Sequence, residues 1–200
     1  MIHTDAGYYT PVTSQGGSGV SYSHIWYLKD HLGNNRVLAD ASGNALKTHH
    51  YDPYGMEINV ASTPIFPSTF PSGSTESPYK YGGKEWNETT STYDFEARYL
   101  SPSFHRFTTM DPLAEKYYSI SPYAYCAGNP VNLVDPEGME IWIYLNRGQE
   151  NEKALRYESG ALFYANGDLY DGNDPFARRV LTSLYIIDSM KDDEVSYVMS

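Results

Sequence analysis

The 200-residue sequence has almost no cysteine. Its single cysteine, Cys126, lacks a partner for an internal disulfide, so the fold does not depend on oxidation even if the protein ends up outside a cell. A buried thiol behaves as a small hydrophobe, and we expect Cys126 to fill space in a packed turn. The sequence therefore excludes a disulfide-stapled scaffold.

Basic residues are also scarce. Lys and Arg together number 14 against 25 Asp and Glu, which gives a formal net charge of -11. Such an excess of negative charge repels phosphate backbones instead of attracting them. A nucleic-acid partner is therefore not expected.

Long apolar runs are missing as well. No stretch approaches the roughly 18 consecutive apolar residues that indicate a membrane-spanning helix. Residues 1–5 carry neither the basic stretch nor the apolar run of a signal peptide, so we expect any export signal to be encoded elsewhere. The abrupt start, with a Gly/Ser-rich stretch at 15–19, predicts a fragment or an internal start of a longer protein.

The sequence also lacks a recognisable metal-binding pattern. His49 and His50 are adjacent, and neighbouring residues on a strand point to opposite faces, so the two cannot bind one ion together. No combination of His, Cys and carboxylates has the spacing of a zinc site. Neither a metal nor a cofactor is expected.

Tyrosine, by contrast, is abundant: 20 Tyr stand beside 7 Phe and 3 Trp. Its broad ring and polar tip suit half-buried, pleated strands, and turn residues at Gly33-Asn34 and Ser42-Gly43-Asn44 separate apolar segments. The pattern predicts a mainly β fold, a tyrosine-rich hairpin meander. The tyrosines could also form a stacking platform for sugars or bases, but their spread through every predicted strand favours packing.

Three regions are predicted along the chain. Residues 1–23 are expected to form a flexible lead, and residues 24–139 a β-rich core. Prolines within 59–78 remove ladder donors and predict a loop there. Residues 140–200 are expected to form a small α+β tail, with the boundary at 139/140, where a strand-to-helix pattern follows a purely β block.

The tail pattern predicts a strand at 140–145, a hairpin over 161–170 and an amphipathic helix. Asp174 and Pro175 supply the helix start. One face of this helix is apolar and comprises Phe176, Val180, Leu184 and Ile187. No catalytic set is recognisable in these residues, and the acidic run at 192–194 is typical of a solvated helix end.

Seven segments between 24 and 139 occur in the order typical of one known family. They are Tyr27-Leu28-Lys29-Asp30-His31-Leu32-Gly33-Asn34-Asn35-Arg36, Tyr51-Asp52-Pro53-Tyr54-Gly55, Tyr81-Gly82-Gly83-Lys84-Glu85, Ala97-Arg98-Tyr99 with Pro102, Arg106-Phe107-Thr108-Thr109-Met110-Asp111-Pro112, Tyr123-Ala124-Tyr125 with Asn129-Pro130, and Asp135-Pro136-Glu137-Gly138. Together they resemble the repeat-associated core of Rhs/YD-repeat proteins, which are bacterial polymorphic toxins related to the C component of insecticidal toxin complexes.

The resemblance implies a hollow shell of tyrosine-rich hairpins that encloses a C-terminal toxin and is plugged at one end by this core. It also implies an intramolecular aspartyl protease with Asp111 and Asp135 as its carboxylates and a cut between Met139 and Glu140. The implied partners are upstream shell strands, the chain's own C-terminal toxin region, which is expected to be incomplete here, and an immunity protein. The implied location is secreted or cell-surface, as part of a longer bacterial protein.

The paired carboxylates suit this chemistry. Two carboxylates held close together cannot both ionise easily, so one keeps a proton as the acid while the other activates water. Arg98 or Arg106 would hold the ionised member, and Arg98 is preferred. The family pattern differs at three positions, where this chain has His105 instead of Gly, Leu113-Ala114 without a glycine, and Met139 instead of Leu.

Two alternatives to the protease remain open. Asp-Pro pairs commonly start turns, because Asp bonds its own backbone and Pro fixes the next φ. The core would then be a non-enzymatic YD-repeat scaffold for adhesion or surface association. The second alternative is an inactive, truncated cassette, because a shell needs more strands than this core provides.

Overall fold

The structure, a computed structural model, describes residues 1–13, 20–58, 70 and 76–198, with side chains described as far as residue 186. Most of the predicted proline-rich loop, the stretch at 15–19, the Ile187 side chain and the acidic run at 192–194 lie outside this description. The chain divides into two compact units, Met1–Asn87 and Glu88–Ser200. The functional boundary predicted at 139/140 stays a prediction.

The first unit is built on an antiparallel meander in which each strand pairs with the next in sequence. Its strands are β1 (Ile2–Thr4), β2 (Gly7–Thr13), β3 (Val20–Lys29), β4 (Asn35–Ala39) and β5 (Ala45–Thr48). One face of the sheet buries Tyr8, Ile25 and Leu38, against which Tyr27 and Leu46 pack. A further short strand, β6 (Glu85–Asn87), ends this unit.

Residues 2–13 differ from the sequence-based prediction of a flexible lead, because they form β1 and β2. Tyr8 and Thr10 are fully buried while Tyr9 is 41% exposed, so this segment alternates as a half-buried strand does. Pairing with β3 over seven positions, from Gly7↔Trp26 to Thr13↔Val20, holds it in place.

One tight turn recurs in the first unit, in the pattern Asp-x-x-Gly-x. In each copy an aspartate Oδ1 accepts hydrogen bonds from the backbone N–H groups two and four residues later, at 2.8–3.0 Å. The glycine adopts a φ of +84 to +90°, which favours a residue without Cβ. The three copies start at Asp30, Asp40 and Asp52.

The second unit contains two antiparallel strand groups and a helix. In the first group, β7 (Thr92–Asp94), β8 (Tyr99–Ser101) and β9 (Arg106–Phe107) pair in sequence order. Behind them, the rings of Phe95, Phe107 and Tyr125 pack edge to face with centroids 5.5–5.7 Å apart. These aromatic contacts form a core beside the functional residues described below.

The second group consists of β10 (Ile141–Leu145), β11 (Lys153–Glu158) and β12 (Ala161–Tyr164). Strand β11 lies between the other two, with Ile141↔Tyr157 as the first pair of β10. On the other side of β10, Val134 and Trp142 exchange two backbone hydrogen bonds of 3.0 and 2.8 Å. Residues on both sides of position 139/140 therefore pack within one unit.

The C-terminal helix, α1 (Pro175–Val198), begins where the sequence predicts. Asp174 Oδ1 accepts hydrogen bonds from the N–H groups of Phe176 and Ala177 at 2.8 and 3.1 Å, as a cap does. Ala177, Val180 and Leu184 are the buried residues of the described part of its face, whereas Phe176 is half-buried. The predicted mainly β class with one C-terminal helix is confirmed.

No helix of the described ranges is long and apolar enough to cross a membrane. Within the same ranges, no group of three or more His, Cys, Asp or Glu is arranged to hold a metal ion.

Candidate active site

Arg98 lies at the centre of the candidate site, in the tight turn between β7 and β8. Asp94 Oδ1 accepts the Glu96 N–H at 2.7 Å, and the Phe95 N–H donates to the Arg98 carbonyl at 2.9 Å. The turn directs the Arg98 side chain inward, where it is only 2% exposed. Its guanidinium carbon lies 3.8 Å from the centre of the Phe107 ring, a favourable cation–π distance.

The Arg98 guanidinium contacts both predicted aspartates through one nitrogen. Nη2 lies 2.9 Å from Asp111 Oδ2 and 3.3 Å from Asp135 Oδ2. Nη1 donates to the Pro122 carbonyl at 3.1 Å, and Nε donates to the Gly138 carbonyl. Because both carboxylates reach the same nitrogen, the structure brings them together across 24 residues of sequence.

Arg106, the second arginine considered from the sequence, lies elsewhere. It is on β9, exposed, with its guanidinium 5.7 Å from the centre of the Tyr123 ring. Side chains on a strand alternate, and the next residue, Phe107, is fully buried. Since Phe107 occupies the inward position, Arg106 points away from the aspartates, and Arg98 is the arginine at the pair.

Asp111 is held in its own Asp-Pro turn. Its Oδ1 accepts the Leu113 N–H at 2.7 Å, and its backbone N–H donates to the Pro122 carbonyl at 2.9 Å. The turn forms without the glycine that the family pattern usually has. Oδ2 remains directed to Arg98, so the substitution leaves the carboxylate at the site.

Asp135 is more deeply buried, at 3% exposure, and faces the predicted cut. Its Oδ1 accepts the Met139 N–H at 2.8 Å and the Glu140 N–H at 3.3 Å. Burial raises the pKa of Asp135 to about 6, against the opposing influence of Arg98 and of these N–H groups. Asp135 is therefore about half protonated at pH 6 and roughly one-tenth protonated at pH 7.

The predicted cut falls between Met139 and Glu140, directly before β10. Gly138 precedes it with a φ of +75°, and a Cβ there would lie 3.0 Å from the Phe95 carbonyl oxygen. Only glycine fits this close approach without strain, and it lets Arg98 Nε reach the Gly138 carbonyl. The backbone on either side of the cut is thus fixed relative to Asp135.

A small cavity of about 10 Å³ lies among these groups, bordered by Arg98, Asp111, Asp135 and Met139. That volume is close to the minimum for one water molecule. Polar partners for a water are present, because both carboxylates border the cavity. The space suits a hydrolytic water but not a separate peptide substrate.

Tyr117 and Cys126 are among the further residues that border the cavity and that the sequence did not assign to the site. Cys126 is 1% exposed in a turn, as expected for a filler, and burial raises the pKa of its thiol. Tyr117 is buried, and its hydroxyl donates to the Tyr157 carbonyl at 3.2 Å. Nothing in the sequence distinguishes this residue from the other tyrosines.

Sequence comparison links the chain to much longer proteins. It is 30% identical over 158 residues to the tRNA3(Ser)-specific nuclease WapA of Bacillus spizizenii. The aligned region covers 74% of this chain and 6% of that protein. The tRNA nuclease WapA of Bacillus subtilis is 29% identical over 115 residues, or 56% of this chain and 5% of the relative. Salivary gland surface protein 1 of Aedes aegypti is 34% identical over 112 residues, which are 56% of this chain and 3% of that protein.

Structural comparison matches the chain to crystal structures of TcdB2-TccC3. In one of them, without the hypervariable C-terminal region, the match has a TM-score of 0.49 and 22% identity and covers 63% of this chain and 6% of the other. No protein-family model matches the chain. The sequence relatives relate the chain to Rhs-type toxin proteins and support a toxin-delivery context. The chain spans only 3–6% of the three relatives described above.

Proposed function

We propose that this chain is the terminal core of an Rhs-type toxin-delivery protein and that it cuts its own backbone between Met139 and Glu140. One observation carries the proposal. Asp135 contacts the Glu140 N–H through Oδ1, while its Oδ2 shares the Arg98 guanidinium with Asp111. An aspartate pair and the nitrogen of the peptide bond to be cut thus lie in one buried cluster.

The two aspartates have different roles in the proposed reaction. Asp111, which lies 2.9 Å from Arg98, takes a proton from the cavity water. At the same time the water oxygen bonds to the Met139 carbonyl carbon. Asp135, whose pKa is raised to about 6, gives its proton to the Glu140 nitrogen as the C–N bond breaks. The products are a carboxyl group on Met139 and an amino group on Glu140.

The reaction is intramolecular. The cavity has room for about one water molecule, and the peptide bond reaches the aspartates as part of the same folded unit. Holding the reacting groups in place replaces the binding of a separate substrate. Each chain therefore acts once, on itself.

The wider role also belongs to this proposal. Upstream shell strands of a longer bacterial protein would enclose the segment that follows Glu140, and the cut would free that segment as the toxin. An immunity protein would protect the producing cell. The parent protein would be secreted or displayed on the cell surface. The toxin-related relatives support this context.

Intact-mass spectrometry of the purified 200-residue chain tests the cut. We expect two fragments, 1–139 and 140–200, and a single uncut species for Asp135→Asn. Asp52→Asn is the matched control, because Asp52 starts a turn of nearly the same sequence, and it should cut like the wild type. A folded wild-type chain that stays uncut, or equal cutting by Asp135→Asn, would contradict the proposal.

A second candidate function is a non-enzymatic YD-repeat scaffold for surface association. The match to a salivary gland surface protein favours it, as does the Asp52-Pro53 turn, in which the same Asp-Pro pattern closes a hairpin. The inactive, truncated cassette is the third alternative. Both predict that neither the wild type nor the variants cut.

A further inference from the structure

Tyr117 is connected to Asp111 through consecutive backbone hydrogen bonds. The Ala114 N–H donates to the Asp111 carbonyl at 3.2 Å, and the Tyr117 N–H donates to the Ala114 carbonyl at 3.1 Å. The second bond caps a short 3₁₀ helix, Ala114–Lys116, and the first closes the turn that precedes it. The position of the Tyr117 ring is therefore set by the same loop that sets Asp111.

The Tyr117 side chain reaches the strands that follow the cut. Its hydroxyl donates to the Tyr157 carbonyl on β11 at 3.2 Å, and Tyr157 is the partner of Ile141 in the first pair of β10 and β11. Its ring stacks on that of Tyr157, with centroids 6.4 Å apart and planes 18° from parallel. Burial raises the pKa of Tyr117, so the phenol stays neutral and able to donate.

Three backbone groups around the cut are each held by a buried side chain. Arg98 Nε binds the Gly138 carbonyl, and Asp135 Oδ1 binds the N–H groups of Met139 and Glu140. The next residue, Ile141, pairs with Tyr157, whose carbonyl accepts the Tyr117 hydroxyl. Without the Tyr117 hydroxyl, the strand pair that begins directly after the Met139–Glu140 peptide bond would lose this side-chain contact.

We propose that Tyr117 is a positioning residue for self-cleavage, which fixes the leaving side of the Met139–Glu140 bond against the aspartate pair. The inference rests on the proposed function and deepens it. Tyr117 does not touch the reacting atoms; it acts through Tyr157 and the pairing of Tyr157 with Ile141. Small displacements of a bound reacting group can reduce a rate by large factors, so the contact matters more for the rate than for the fold.

The test compares Tyr117→Phe, which removes only the hydroxyl, with Tyr164→Phe as the matched control. Tyr164 lies on β12 and packs edge to face on Tyr170, away from the cavity lining. Fragment formation by the full chain is followed by intact mass. In the Asp135→Asn background, amide hydrogen exchange at Ile141 and Ile143 reports the contact in a chain that does not cut.

We expect Tyr117→Phe to cut at least about tenfold more slowly, with a melting temperature close to that of the wild type. The Ile141 amide should exchange faster while the Ile143 amide keeps its protection, and Tyr164→Phe should change neither readout. A rate for Tyr117→Phe within twofold of the wild type would overturn the inference and leave the proposed cut standing. If the wild type does not cut, the proposed function fails. Unchanged Ile141 exchange in Tyr117→Phe would overturn the positioning contact itself.

Discussion

Two turns of this molecule have nearly the same sequence and very different surroundings. Residues 52–56 and 135–139 both read Asp-Pro-x-Gly-Met and differ only at the third position, where one has Tyr54 and the other Glu137. In both, the aspartate Oδ1 accepts the methionine N–H, at 2.9 Å in the first and 2.8 Å in the second. Their glycines have φ values of +90° and +75°. The shared pattern is thus a turn signal.

The surroundings separate them. Asp52 is half-buried in a hairpin turn beside the exposed Pro53. Asp135 is 3% exposed and lies within reach of Arg98, which also holds Asp111. The glycine is tightly packed in both turns. A Cβ at Gly55 would lie 2.7 Å from the Tyr81 ring, and a Cβ at Gly138 would lie 3.0 Å from the Phe95 carbonyl oxygen. A buried charge partner, and not the Asp-Pro-x-Gly pattern, therefore creates the candidate site.

Removing the buried cation is expected to have the largest effect. Arg98→Met leaves two buried carboxylates without their partner, and breaking a buried pair costs about 3–5 kcal/mol of unfolding free energy. Arg36→Met is the matched control, because Arg36 is 3.5 Å from Asp30 at a side-chain exposure of 36% and should lose less than about 1 kcal/mol. Urea unfolding at pH 7 measures both. Equal losses would remove the distinction between the two environments.

The pH dependence of cutting is the next test. A carboxyl whose pKa is raised keeps its proton to higher pH, so Asp135 loses the proton that it donates as pH rises through about 6. We expect the cutting rate to fall about tenfold per pH unit above that value. An ordinary carboxyl would lose its proton roughly two pH units lower. Fragment formation followed from pH 4 to 8 gives the profile, and a rate that rises from pH 6 to 8 would refute the acid role of Asp135.

Making the two turns identical is expected to have the smallest effect. Glu137→Tyr gives both turns the sequence Asp-Pro-Tyr-Gly-Met. The Glu137 side chain is exposed, and its backbone carbonyl, which accepts the Ala97 N–H, is kept in the variant. The free energy of unfolding should change by less than about 0.5 kcal/mol, and cutting should stay within twofold of the wild type. A tenfold loss of cutting would show that the third residue of the turn, and not its surroundings, decides the chemistry.

Much of the fold could be predicted because local chemistry specified it. Gly33 and Gly43 indicated turns in the sequence, and both have a positive φ in the structure. Asp174-Pro175 likewise indicated the start of the helix, which Asp174 caps. Strand β11 was missed, because Lys153 and Arg156 make its sequence polar, although Leu155 and Tyr157 are fully buried. Its burial depends on pairing with β10 and β12, which a short window of sequence does not contain.

The sequence predicted the two aspartates of the site but not all of the residues around them. The ordered motifs identified Asp111 and Asp135, which the structure places at one guanidinium. The choice between Arg98 and Arg106 depended on which face of a strand each residue occupies. No sequence pattern singled out Tyr117, since the residue that its hydroxyl contacts, Tyr157, lies 40 residues away.

The sequence by itself determined the β-rich class, the Asp-Gly turns and the helix start, because each depends on backbone preferences of a few neighbouring residues. The tertiary structure alone decided which Asp-Pro turn became buried against Arg98. Desolvation and charge pairing depend on groups that are distant in sequence. The same five-residue pattern therefore forms a plain hairpin turn at Asp52 and a candidate catalytic pair at Asp135.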